Sequence, residues 1–192
     1  YSNIILNRQQ IKITSTIHHL YMDCNSIVYD TIHKLYETEH NTYDDIFEQR
    51  VLDDVMVKID KYITNITPTH GIYIAFDGVA PFAKMDQQRT RRYKSQYMSS
   101  ILGTDTKWNT SAITPGTKFM DKLNIQLYNT FKSTEHKYNV KSVIVSGSDI
   151  AGEGEHKLFE HIRNSPNIDH NIAVYGLDAD LIILSLISGK NN

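Results

Sequence analysis

Six carboxylates, Asp23, Asp77, Glu153, Glu155, Asp178 and Asp180, fall just after short apolar runs, and two pairs of them are spaced i and i+2. Acids brought together raise one another's pKa values, because neighbouring negative charges oppose ionisation. Divalent cations resolve that conflict. An all-oxygen donor set without thiolate or histidine partners favours hard ions, Mg²⁺ or Mn²⁺, over zinc or copper. This many acids can hold two ions about 3.5 to 4 Å apart, an arrangement that activates water and stabilises the leaving oxygen in phosphodiester hydrolysis. The chemistry indicated is that of a metal-dependent nuclease or phosphatase. Each acid alone has a plainer reading: Asp77-Gly78 as a turn, Glu153 and Glu155 as helix-dipole partners, Asp178 or Asp180 as a cap. Four strand ends sharing one chemistry weigh against all of these readings holding together.

A basic stretch follows the second acid. Between residues 77 and 97, Lys84, Arg89, Arg91, Arg92 and Lys94 face only Asp77 and Asp86. If Pro81 opens a helix, Lys84, Gln88, Arg91 and Arg92 occupy i, i+4, i+7 and i+8, which is one helix face. Arginine forks and a lysine point charge suit a terminal phosphate, whose dianion carries more charge than an internal diester. Tyr29, six residues after Asp23, is placed to stack on a base, though an aromatic at that spacing also suits a core. Cys24 reads as a small core residue, since no histidine stands where it would activate the thiol. The nine histidines show no metal-ligand spacing, so most read as structural, with His156 beside Glu155 able to support a ligand.

These residues need elements to position them. Apolar runs at 18–22, 72–76, 142–146 and 171–175 have strand length. Helical spacing follows each: Val28, Ile32 and Leu35; then Phe47, Val51, Val55, Ile59, Tyr62 and Ile66; then the helix opened by Pro81. Thr117 is placed to cap a helix carrying Phe119, Leu123, Leu127 and Phe131, and Gly152 to Glu155 opens another with Leu158, Phe159 and Ile162 inward. Residues 99–115, rich in Ser, Thr, Gly and Asn and holding Trp108, read as a long loop. Alternating strands and helices predict a three-layer α/β/α domain with a mostly parallel central sheet. Ligands in such sheets bind at the carboxyl ends of the strands, so topology alone gathers the six acids on one edge.

Composition fits a single globular domain over residues 1–192. Hydrophobic content is 40% and charged content 22%, and the formal net charge of −2 excludes a polybasic nucleic-acid coat but not a local basic site. One cysteine excludes an internal disulfide framework, and no apolar run approaches a membrane span or a secretory signal. The expectation is an intracellular protein, cytoplasmic or nuclear, with native sequence missing at both ends.

Four motifs carry a family resemblance: residues 77–92 (Asp-Gly-Val-Ala-Pro-Phe-Ala-Lys-Met-Asp-Gln-Gln-Arg-Thr-Arg-Arg), 113–120 (Ile-Thr-Pro-Gly-Thr-Lys-Phe-Met), 152–157 (Gly-Glu-Gly-Glu-His-Lys) and 176–182 (Gly-Leu-Asp-Ala-Asp-Leu-Ile). In this order they resemble the XRN family of 5′→3′ exoribonucleases, over about residues 18 to 188. The resemblance implies a PIN/FEN-like nuclease core in which the six acids hold two Mg²⁺ ions. It implies that Lys84, Gln88, Arg91 and Arg92 select a 5′-monophosphate on single-stranded RNA, in a pocket too small for a cap or triphosphate. Processive hydrolysis to nucleoside monophosphates, as in mRNA turnover, is the implied activity. The family usually has His at the position of Tyr29, a base-stacking residue, and Pro at the position of Ala151. Its N-terminal Met-Gly-Val-Pro, a further metal-binding Asp and a second aromatic stacking partner have no counterpart here, so a partial active site is expected. Two other readings stand beside this one: an RNA 5′-end-binding fragment without turnover, and a flap-type DNA nuclease on the same fold.

Overall fold

The computed structural model describes residues 15–38, 44–102, 110–166 and 169–188. Its elements run β1 (His19–Asp23), α1 (Asn25–Thr38), α2 (Asp44–Ile66), β2 (Gly71–Ala75), α3 (Phe82–Leu102), a 3₁₀ turn (Thr110–Ala112), α4 (Lys118–Phe131), α5 (Glu135–Tyr138), β3 (Ser142–Ser146), α6 (Gly154–Asn164), β4 (Ile172–Tyr175) and α7 (Asp180–Ile187). The four strands form one sheet in the order β3-β2-β1-β4, and every pairing is parallel.

Side chains alternate across a strand, so each face of this sheet needs its own helical cover. On one face Leu20, Met22, Ile72 and Ile74 pack with Val28 and Ile32 of α1, Val51, Val55 and Ile59 of α2, and Leu123 and Leu127 of α4. On the other, Tyr21 and Ala75 pack with Leu158, Phe159 and Ile162 of α6 and Leu181 of α7. These are the three expected layers. Thr117 caps α4, its hydroxyl oxygen accepting from the Met120 amide at 3.4 Å.

Two local expectations change. The loop expected over 99–115 is shorter, because α3 runs on to Leu102 and a 3₁₀ turn occupies Thr110–Ala112. Serine is only mildly unfavourable in a helix, so Ser99 and Ser100 do not stop a helix already under way. Trp108 lies outside the described residues. The short α5 was not legible as an element. It ends on Asn139 at φ 54°, a left-handed position that asparagine tolerates.

The chain builds outward from β1 to β2 and β3, then returns on α6 across the opposite face to place β4 on the other side of β1. That reversal is a topological switch point, and it opens a crevice at the carboxyl ends of β1 and β4. Among the described residues no helix is long and apolar enough to cross a membrane.

Candidate active site

The acids reach one edge from four junctions. Asp23 is the last residue of β1, Asp77 lies two beyond β2, Glu153 and Glu155 flank the first residue of α6, and Asp178 and Asp180 bridge β4 to α7. Close approach over a glycine makes this possible. A Cβ on Gly154 would lie 2.7 Å from Asp23 Oδ1 and 3.3 Å from Asp77 Oδ1, while the Gly154 amide donates to Asp77 Oδ1 at 2.6 Å. Gly78 is equally constrained, since a Cβ there would collide with the Ile150 carbonyl. Its amide donates to the Gly152 carbonyl at 2.8 Å, pinning the loop after β2 to the loop that opens α6.

Electrostatics reflect the crowding. Burial, and then the Asp77 charge, push the Asp23 carboxyl up to about 7. Burial also raises Asp77, where the neighbouring Glu153 adds to it, and it raises Glu155, where Asp178 adds to it. Asp23 Oδ1 and Glu155 Oε2 are buried with no hydrogen-bond donor. Buried acceptors left in that state are costly unless a cation or donor meets them, so the donor set fits a hard divalent ion. Carboxylate oxygens of Glu155, Asp178 and Asp180 lie within 4.8 Å of one another, as do ligand atoms of Glu153, Glu155 and His156; either group could hold a metal ion.

A cavity of about 430 Å³ opens beside these acids. Asp23, Asp77 and Asp178 line it together with Gln88, Arg91 and Arg92 of α3 and Tyr29 of α1, which is 37% exposed. The acidic and basic groups singled out in the sequence therefore face one space. Lys84 is not on that wall: its ammonium pairs with Glu153 at 2.9 Å, which raises the lysine pKa. Arg92 donates to the Ile113 carbonyl at 3.4 Å, tying α3 to the turn before α4. Cys24 is fully buried, and Asp149 accepts from the Tyr128 hydroxyl at 3.0 Å, away from the acids.

Two residues escaped the sequence reading. Asn25 clasps Asp77 from both sides, its Nδ2 donating to Asp77 Oδ2 and its Oδ1 accepting from the Asp77 amide at 3.1 Å. Only its place two residues after Asp23, at the start of α1, could have signalled this. Lys157 is 7% exposed, and its ammonium donates to the carbonyls of Phe76 at 2.8 Å and Gly147 at 3.0 Å. Burial pulls its pKa down to about 8 against the opposing pull of Asp77. A lysine two residues past the last acid of its motif reads as solvated until the strand ends above it are known.

The comparisons with known proteins agree with this geometry. A family model described as the XRN 5′-3′ exonuclease N-terminus matches residues 1–192. The 5′-3′ exoribonuclease 2 of Candida glabrata is 36% identical over 87% of the chain, which covers 19% of that protein. The 5′-3′ exoribonuclease 1 of Saccharomyces cerevisiae is 36% identical over 87% of the chain, covering 12% of that protein. The human 5′-3′ exoribonuclease 1 is 34% identical over 88% of the chain, covering 11% of it. The chain thus spans less than a fifth of the length of each of these relatives.

Proposed function

The chain belongs to the XRN 5′-3′ exonuclease N-terminal family, and from that premise we propose that it forms part of a metal-dependent 5′→3′ exoribonuclease core. The proposed substrate is single-stranded RNA bearing a 5′-monophosphate, and the products are nucleoside monophosphates. The observation that carries this reading is the single cavity shared by Asp23, Asp77 and Asp178 with Gln88, Arg91 and Arg92. A diester cleaved one nucleotide from a held terminal phosphate requires anion-binding and cation-holding groups about one nucleotide apart.

In this reading Arg91, Arg92 and Gln88 hold the 5′-phosphate, the arginines through forked hydrogen bonds to its oxygens. Tyr29 stacks on the first base. Lys84 orients Glu153 through their ion pair, and Asn25 fixes the rotamer of Asp77. Asp23, Asp77, Glu153, Glu155, Asp178 and Asp180 would hold two divalent cations, Mg²⁺ or Mn²⁺. Such ions, when bound, make water a nucleophile near neutral pH and stabilise the leaving oxygen. Water then attacks the phosphorus between the first and second nucleotides, and O3′ of the first departs. The new terminus again bears a 5′-phosphate, ready to enter the same pocket.

The test compares end-labelled RNAs carrying 5′-phosphate or 5′-hydroxyl, and a 5′-phosphorylated DNA of the same sequence, with Mg²⁺ and with EDTA. Metal-dependent decay of the 5′-phosphorylated RNA alone is expected. Equal decay of the phosphate and hydroxyl RNAs, or no decay, overturns the proposal, and preferred decay of the DNA assigns the chain to flap-type chemistry. Calorimetry with the same 5′-phosphorylated RNA separates the non-catalytic reading, which gives binding without metal-dependent turnover.

A further inference from the structure

The amino ends of the strands carry a second cluster of titratable groups. The register sets His19 of β1 beside Gly71 of β2 and Ile172 of β4, which brings His18, His19, His70 and His170 together. His18 stacks on His170 with ring centres 4.6 Å and planes 11° apart, and His19 stacks on His170 at 5.1 Å. His70 meets His18 edge-on at 5.1 Å and His170 at 4.6 Å. His19 Nε2 and His170 Nδ1, 151 residues apart in sequence, share a hydrogen bond of 2.9 Å. One nitrogen donates and the other must keep its lone pair. His18 Nδ1 likewise accepts from the Asn171 amide at 2.9 Å, a bond lost when that nitrogen is protonated.

β4 depends on these contacts. It is a four-residue edge strand whose one neighbour in the sheet is β1. Its entry is held by the His18 amide, which donates to the Asn171 carbonyl at 2.9 Å, by the return bond to His18, and by the His19–His170 pair. Its exit leads directly to Asp178 and Asp180.

We propose that the four histidines form an acid-sensitive latch, which docks β4 onto β1 while the rings are neutral and loosens β4, with its Asp178–Asp180 junction, when they become charged. Stacked imidazolium rings repel one another, and a shared ring-to-ring hydrogen bond fails when both rings are protonated. The surrounding groups reinforce this. His19 is acted on by His170, His70, His18 and, from α6, His161; His70 is acted on by Lys141 at the head of β3. Tyr21 and Tyr73 lie beside His161, and Asp169 precedes His170 in the chain. Burial first, and then these neighbours, hold His19 down at about 4. The sign follows: a histidine whose pKa is lowered by folding contributes its full stabilisation above its unfolded value of about 6.5, and that contribution is lost as pH falls toward 4.

Amide hydrogen exchange on the whole chain at pH 7.5 and 5.0, corrected for the intrinsic rate, tests the latch without reference to nuclease activity. At pH 5.0 the Ile172–Tyr175 amides are expected to lose about tenfold more protection than those of β2 and β3. The double variant His19→Phe with His170→Phe keeps the ring packing without the protons, and should show no extra loss in β4. Where that variant fails to fold, the single variant His170→Phe is read in the same way. Equal loss across the strands of the wild-type chain, or an undiminished β4 loss in the folded variant, overturns the proposal.

Discussion

At the carboxyl ends of its strands this sheet gathers Asp23, Asp77 and Asp178, and at the amino ends of the same strands it gathers His19, His70 and His170. Both clusters arise because a parallel sheet aligns like ends, and in both the packing opposes the charged form. The responses differ. Burial and mutual repulsion raise Asp23 to about 7, whereas burial and neighbouring rings lower His19 to about 4. The acids are left with buried oxygens that have no donor, as befits a site waiting for a cation. The histidines satisfy one another by stacking and ring-to-ring hydrogen bonds, as befits a joint. One edge is unfinished without a ligand and the other is complete while neutral.

Removing the exposed acids breaks the first half of this comparison most severely. Asp178→Ala with Asp180→Ala deletes two of three carboxylates that lie within 4.8 Å. Turnover of 5′-phosphorylated RNA should fall by two orders of magnitude or more, roughly the several kcal/mol that a bound metal supplies to a phosphoryl transition state. Both residues are exposed, so the urea midpoint without metal should hardly move. A large loss of stability in the double variant would mean that these acids build the fold instead of serving it.

Lys157 tests whether the carboxyl edge holds its shape through the protein's own groups. Lys157→Met removes the donor from the Phe76 and Gly147 carbonyls at the ends of β2 and β3. Unfolding free energy should drop by about 2–4 kcal/mol, because buried acceptors are left unmet. Urea denaturation reads it, and an unchanged midpoint would show that water replaces the ammonium. Divalent ion has the opposite sign. At about a hundred times its dissociation constant, Mn²⁺ should stabilise the chain by about 2.7 kcal/mol. It should do so in the wild type and in the His19→Phe, His170→Phe variant alike, but not in Asp178→Ala with Asp180→Ala, as thermal melts will report.

The acids were legible because their chemistry repeats at every strand end, so the topology could be read without coordinates. The basic face of α3 was legible for a similar reason: Pro81 fixes where the helix begins and the spacing does the rest. The histidine cluster was not. His18 and His19 looked like ordinary strand residues, and nothing local links them to His70 or to His170; that link is the β1–β2 and β1–β4 register. Asn25 and Lys157 escaped for the same physical reason, since their partners, Asp77, Phe76 and Gly147, lie far away in sequence. Residues 99–102 were read as loop from composition, but a helix anchored at its amino end runs through several weakly unfavourable residues.

The smallest effect concerns how the cavity divides its labour. Arg91 lines the same cavity as Asp23 and Asp77 but belongs to α3, whose other cationic group nearest the acids, Lys84, is already taken by Glu153. If α3 reads the terminal phosphate and the strand ends perform the chemistry, Arg91→Ala should weaken ground-state and transition-state binding alike. KM for 5′-phosphorylated RNA should rise about tenfold, the loss of one charge-assisted contact of roughly 1.4 kcal/mol, with kcat nearly unchanged. Activity on 5′-hydroxyl RNA should stay where it was, so the preference between the two ends narrows by the same factor. A fall in kcat without a change in KM would place Arg91 at the scissile phosphate instead, and would merge the anion-binding wall with the acidic edge.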